Sequence, residues 1–147
     1  MTIQKCWRQR LRDWLAGEAP LLLLPQAESA EPLLALLDEA GFAPLVVDFG
    51  EIADKNDLMT AMREALGLDA WFGANWDALA DALHGPDTPA ERELVLVLQV
   101  PACGLKLASC DFVMLLEIIG EVADSERSCL RGAVVLGGAG AETQPDP

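Results

Sequence analysis

Residues 71–85 read Trp71-Phe72-Gly73-Ala74-Asn75-Trp76-Asp77-Ala78-Leu79-Ala80-Asp81-Ala82-Leu83-His84-Gly85. Two large aromatics and a glycine pivot lead into Asn75, whose side chain can accept a backbone N–H two or three residues on and so begin a helix. Gly85 stands where a glycine can take the left-handed conformation that ends one. The spacing predicts a single short helix between them. On its wheel Trp76, Leu79 and Leu83 form the stripe to be buried. Asp77 and Asp81, four apart, stand side by side on another face. Two carboxylates held on a rigid outward surface, just after large aromatics, suit a cation-rich partner.

Outward from this helix, apolar periodicity predicts helices and strands in alternation. Ile3, Trp7, Leu11, Trp14 and Leu15 recur at helical spacing, with Lys5, Arg8 and Arg12 off the stripe. A helix docking on its own domain is expected here, rather than one lying on a membrane. Leu21 to Leu24 reads as a buried strand closed by Pro25. Residues 31–40 read as a helix with Pro32 in its first turn and Gly41 at its end. Residues 44–49 form a strand and 56–66 a helix. Leu94 to Val100 is wholly apolar, as in strands buried on both faces. Asp111 can cap a helix running to about Val122. Residues 133–136 form a last strand, and 139–147 a disordered tail. Strands separated by helices imply a parallel sheet with right-handed crossovers. The fold class expected is α/β, a small parallel sheet of about four strands flanked by helices.

At 147 residues a single domain is expected, able to bury about 70% of its unfolded surface. Charge is unevenly placed. Lys5, Arg8, Arg10 and Arg12 lie within the first twelve residues, and from Asp13 onward 24 acidic groups face six basic ones, a net of −18. No Lys or Arg occurs between Glu64 and Glu91, a stretch that includes Asp69, Asp77, Asp81 and Asp87. Nucleic acid and anionic lipid require cationic surface, so neither is an expected partner; basic proteins are. Acidity alone does no more than keep a protein in solution.

Cys6, Cys103, Cys110 and Cys129 contain no C-x-x-C pair, and His84 is the only histidine. Zinc needs close ligand pairs and four donors, so no metal and no cofactor is expected. The leucine run 21–24 is too short for a secretory signal, and no segment is long enough to span a bilayer. A cytoplasmic protein with reduced thiols packed as small core residues follows. His84 at a helix end suits a cap to the last carbonyls.

Enzyme readings find little support. A nucleophile needs a base within reach, and only His84 could serve. Asp77 and Asp81 share a helix face instead of flanking a cleft as glycosidase carboxylates do. Gly137-Gly138-Ala139-Gly140 follows a strand, but too little chain remains for the helix of a nucleotide loop. As solvated surface, Asp77 is favoured by the helix dipole. Asp81 is not, and the like-charge pair costs about 0.2–0.5 kcal/mol, so the pair carries meaning only with its surroundings.

Those surroundings resemble the barstar family, intracellular protein inhibitors of secreted ribonucleases. The family pattern, aromatic-aromatic-Gly-x-Asn-x-Asp-Ala-Leu-x-Asp-x-Leu-x-Gly, is matched from Trp71 to Gly85. A looser resemblance runs from Pro44 to about Leu136. It implies a barstar-like core at 44–138, preceded by an extension (1–43) of one helix and a βα unit. It also implies inhibition of a basic ribonuclease by phosphate mimicry, with no catalysis. Asp81 would enter the catalytic phosphate site and Asp77 meet a flanking cation through charge-assisted hydrogen bonds. Asn75 would orient the helix, and Gly73 let the loop approach the enzyme. Trp71 fits an interfacial aromatic or a core one, and Glu121 aligns with a second acidic contact. Ala80 and Pro86 stand where the family often has aromatics. The alternative is an acidic interaction or regulatory module of barstar fold without ribonuclease inhibition.

Overall fold

The structure is a computed structural model that describes residues 7–24, 30–68, 75–85, 92–101, 104–125 and 128–137. In chain order the elements are α1 (Trp7–Ala16), β1 (Leu21–Leu24), α2 (Glu31–Glu39), β2 (Ala43–Asp48), a 3-10 turn (Phe49–Glu51), α3 (Lys55–Leu66), α4 (Trp76–His84), β3 (Leu94–Val100), α5 (Ser109–Ala123) and β4 (Leu130–Gly137). The four strands pair in parallel in the order β1-β4-β3-β2. This is the α/β architecture expected, a parallel sheet between helices. β1 and β2, successive in the chain, lie at opposite edges, so the connection through α2 crosses the sheet.

Two core layers follow from the pleat, since successive strand residues point to opposite faces. Leu96 and Leu98 of β3 pack on one side with Leu58, Met59 and Met62 of α3, Leu79 and Leu83 of α4, and Leu115, Ile118 and Ile119 of α5. Val95 and Val97, with Val134 and Leu136 of β4, pack on the other with Leu11 and Trp14 of α1 and Leu33 and Leu37 of α2. Among the described residues, the helices of the second layer, α1 and α2, both belong to the N-terminal segment. Without it these strand residues would face water, and burying each side chain of this size contributes about 1.5–3 kcal/mol.

A bulge joins that segment to the sheet. Leu94 sits opposite Leu130 while Val95 sits opposite Gly132, which leaves Arg131 as the extra residue of β4. Its Nη1 donates to the Ala19 carbonyl at 2.8 Å, and its Nη2 donates to those of Trp14 at 2.5 Å and Gly17 at 3.0 Å. The end of α1, whose last carbonyls lack intrahelical donors, is thereby supplied with a cation. Burial lowers the proton affinity of this guanidinium, and the charge of Glu93 acts in the opposite sense. The next residue, Gly132, has φ +149, and any Cβ there would run into the Pro20 carbonyl oxygen. Ala133 N–H donates to that same oxygen at 2.9 Å, so only glycine permits this approach.

Several local expectations need correction. The helix expected to begin after Asp111 begins at Ser109; Ala108 occupies the cap position and offers no side-chain bond. Asp111 lies in the first turn, where the helix dipole still favours a carboxylate. Cys110, expected in the core, is exposed, while Cys129 is half-buried. The last strand, Leu130–Gly137, is longer than residues 133–136 at both ends, and the bulge lies in its added N-terminal part. The tail after Gly137 lies outside the described residues.

Candidate functional site

α4 is held by its sequence at both ends. Asn75 Oδ1 accepts from Ala78 N–H at 2.8 Å, and the Asn75 carbonyl takes the first helical bond, from Leu79 N–H, at 3.0 Å. Trp76 is half-buried, not the fully buried residue its place on the stripe suggests. Lys55 Nζ stands 5.4 Å from its ring centre. Lys55 opens α3, whose own cap is Asp54, accepting from Asp57 N–H at 2.8 Å. The starts of α3 and α4 are thus linked through a cation–π contact.

At the other end His84 does not cap its own helix. Its Nε2 pairs with Ser125 Oγ at 3.1 Å, and its carbonyl accepts from Cys129 N–H at 3.2 Å. The two bonds tie the end of α4 to the segment after α5. Among the described residues no carboxylate meets the other ring nitrogen of His84, so the pair lacks the third group that orients a catalytic base. Gly85 has φ 86 and ψ −173, an extended mirror conformation instead of the left-handed helical one. A Cβ on it would press on Cys129 Cβ and Sγ at 3.4 Å.

With Leu79 and Leu83 wholly buried, Asp77 and Asp81 are turned outward, and both are exposed. Two carboxylates thus project from one turn to the next of a helix fixed at both ends. Such a surface can accept charge-assisted hydrogen bonds without reorganising. Glu121 is exposed on α5, the helix that packs beside α4. It lines an open cleft of about 640 Å³ with Glu18, Glu117 and Asp124, over Pro20, Gly120 and Ala123. Glu117, Glu121 and Asp124 recur at helical spacing, a signal present in the sequence. Lys55 had none, being distant along the chain from Trp76. Trp71 and Gly73 lie outside the described residues.

Among the described residues no group of three or more His, Cys, Asp and Glu could hold a metal ion. No described helix is long and apolar enough to cross a membrane.

A family model described as Barstar (barnase inhibitor) matches residues 42–135. The chain belongs to the barstar family. The barstar region starts just before β2 and ends inside β4, so it includes α3, α4 and α5, while α1, β1 and α2 precede it. No curated protein matches the chain. Among solved structures, the barstar-family chain is similar to the ORC2 protein of Aeropyrum pernix in its ADPNP–ADP complexes. The TM-score is 0.59 and the identity 14%, over 88% of this chain and 38% of that one. At that identity the likeness is one of fold. After β1 this barstar-family chain reads Pro25-Gln26-Ala27-Glu28-Ser29, without the glycines and lysine of a phosphate-cradling loop.

Proposed function

We propose that the chain binds and inhibits a basic ribonuclease by laying α4 across its active site. Asp81 occupies the catalytic phosphate position and Asp77 meets a flanking cation. A ribonuclease must hold an anionic backbone, and the Arg, Lys and His that do so are preorganised for phosphate oxygens. A fixed carboxylate satisfies the same donors. The observation that carries this reading is the Asn75-capped helix with Asp77 and Asp81 both exposed, inside the region that matches the barnase-inhibitor family. Glu121, Trp71 and Gly73 are proposed as further contacts around it.

The body charge of −18 supports a cationic protein as partner and argues against nucleic acid or an anionic lipid surface. No role in catalysis is proposed for the chain. The test is inhibition of a panel of basic microbial ribonucleases on RNA, at low and physiological salt. Inhibition is expected, and it tightens as salt falls. No inhibition of any member by excess protein would replace this reading with an interaction or regulatory module of barstar fold.

A further inference from the structure

Arg12 and Glu39 stand on opposite banks of an open groove of about 470 Å³ between α1 and α2. Leu15, Leu36 and Phe42 line it and are only partly buried, and Ala16 and Ala40 are exposed beside them. The groove belongs to the helix layer that covers the sheet face opposite α4. Charge is segregated across it. α1 carries Arg8, Arg10 and Arg12 against a single acid, Asp13, whereas α2 carries Glu31, Asp38 and Glu39 and no base. Most of these groups are engaged within the chain: Arg8 over the Trp7 ring, Arg10 on the Leu23 carbonyl, Asp13 accepting from Gln9, Asp38 with Arg92. Arg12 and Glu39 are exposed and form no ion pair among the described residues.

We infer that this groove docks a second copy of the chain, related by a two-fold axis running along it, so that the α1 bank of each copy meets the α2 bank of the other and Arg12 of each faces Glu39 of the other. A two-fold interface uses the same patch twice, and residue i meets j as j meets i. A basic helix beside an acidic one is complementary to itself under that operation. A polycation would be repelled by α1 and a polyanion by α2, whereas a second copy satisfies both banks. The apolar floor supplies burial and the charged rim supplies register. A stable dimer buries about 1,200–2,000 Å² in total, so the outer faces of α1 and α2 beyond the groove also take part. Because α4 lies on the other side of the sheet, the dimer leaves both acidic helices free. The inference does not depend on what α4 binds.

Sedimentation velocity of the full chain over a wide concentration range tests it. A reversible dimer is expected. Arg12→Glu or Glu39→Arg alone should raise its Kd about tenfold or more, because like charges then face each other twice. Mixing the two single variants should restore the dimer, since Glu at 12 then meets Arg at 39 and the native pair is kept. The double variant should also dimerise, which guards against a single variant that fails to fold. A wild-type chain that stays monomeric, a dimer indifferent to both reversals, or no recovery in either the mixture or the double variant would overturn it.

Discussion

The Arg131 guanidinium lies 4.3 Å over the Trp14 ring and donates to the Trp14 carbonyl at 2.5 Å. One residue of the last strand thus grips both the side chain and the backbone of the first helix. The contact bridges the barstar region and the segment before it, and the cation sits at the negative end of a helix.

Arg131→Ala should therefore destabilise the fold by about 2–3 kcal/mol, the combined scale of a hydrogen bond to a charged group and a cation–π contact. Lys at this position should recover only part, because an ammonium cannot hold three carbonyls in the fork geometry of a guanidinium. Urea denaturation measures both. A change within about 0.5 kcal/mol, typical of ordinary surface positions, would show that the grip contributes nothing.

Trp14→Ala should cost about 3–5 kcal/mol, the range for emptying an aromatic site in a core. Removing the whole N-terminal segment should do more, exposing Val95, Val97, Val134 and Leu136 together and lowering solubility. Hydrogen exchange locates the effect: protection across Leu21 to Leu24 should be high in the intact chain, apart from amides on the open edge of β1. Exchange as fast as a free peptide there would contradict the pairing of β1 with β4.

Asn75→Ala removes the bond to Ala78 N–H and should cost about 1 kcal/mol. If α4 is the binding element, the same change should speed dissociation of a ribonuclease complex without slowing its formation, since charge is unaltered. An unchanged dissociation rate would separate the cap from binding.

Asp81→Ala distinguishes docking from steering. Truncating one side of a desolvated charge pair typically costs about 2–5 kcal/mol, mostly as faster dissociation. The barstar complex is itself the standard example of such an aspartate hot spot, so this direction is inherited from the family. Asp77→Ala should behave likewise, and Glu64→Ala, on exposed α3 surface, should change only the association rate in a salt-dependent way. Stopped-flow rates at two salt concentrations decide it. Small, equal and salt-sensitive effects at all three positions would indicate a diffuse acidic surface.

The elements most legible in the sequence are those whose signals are local. α4 runs from Trp76 to His84 behind its Asn75 cap because the cap, the apolar stripe and the closing glycine all lie within one short stretch. β3 follows from an unbroken apolar run, and β1 from four leucines before a proline. Yet β1 is an edge strand in which only Leu24 is buried and Leu23 is 62% exposed, not the buried strand expected. The partners of His84 and Trp76 were not legible, because Ser125 and Lys55 are remote in the chain and each is chosen by how two helices meet. Asp111 suggested a cap by residue type, yet the helix starts at Ser109 and carries Asp111 in its first turn, where a carboxylate is favoured without capping.

By itself the sequence determined the α/β alternation, the capped acidic helix and the family, since each is written in residue type and short-range spacing. Only the tertiary structure decided that β1 joins β4 at the edge opposite β2, that α1 and α2 close one face while α3, α4 and α5 close the other, and that Arg131 is released by a bulge to hold α1. The physical reason is that parallel pairing and layer assignment are contacts between distant segments. Their energy depends on which apolar faces can be covered together, and no short window of sequence carries that.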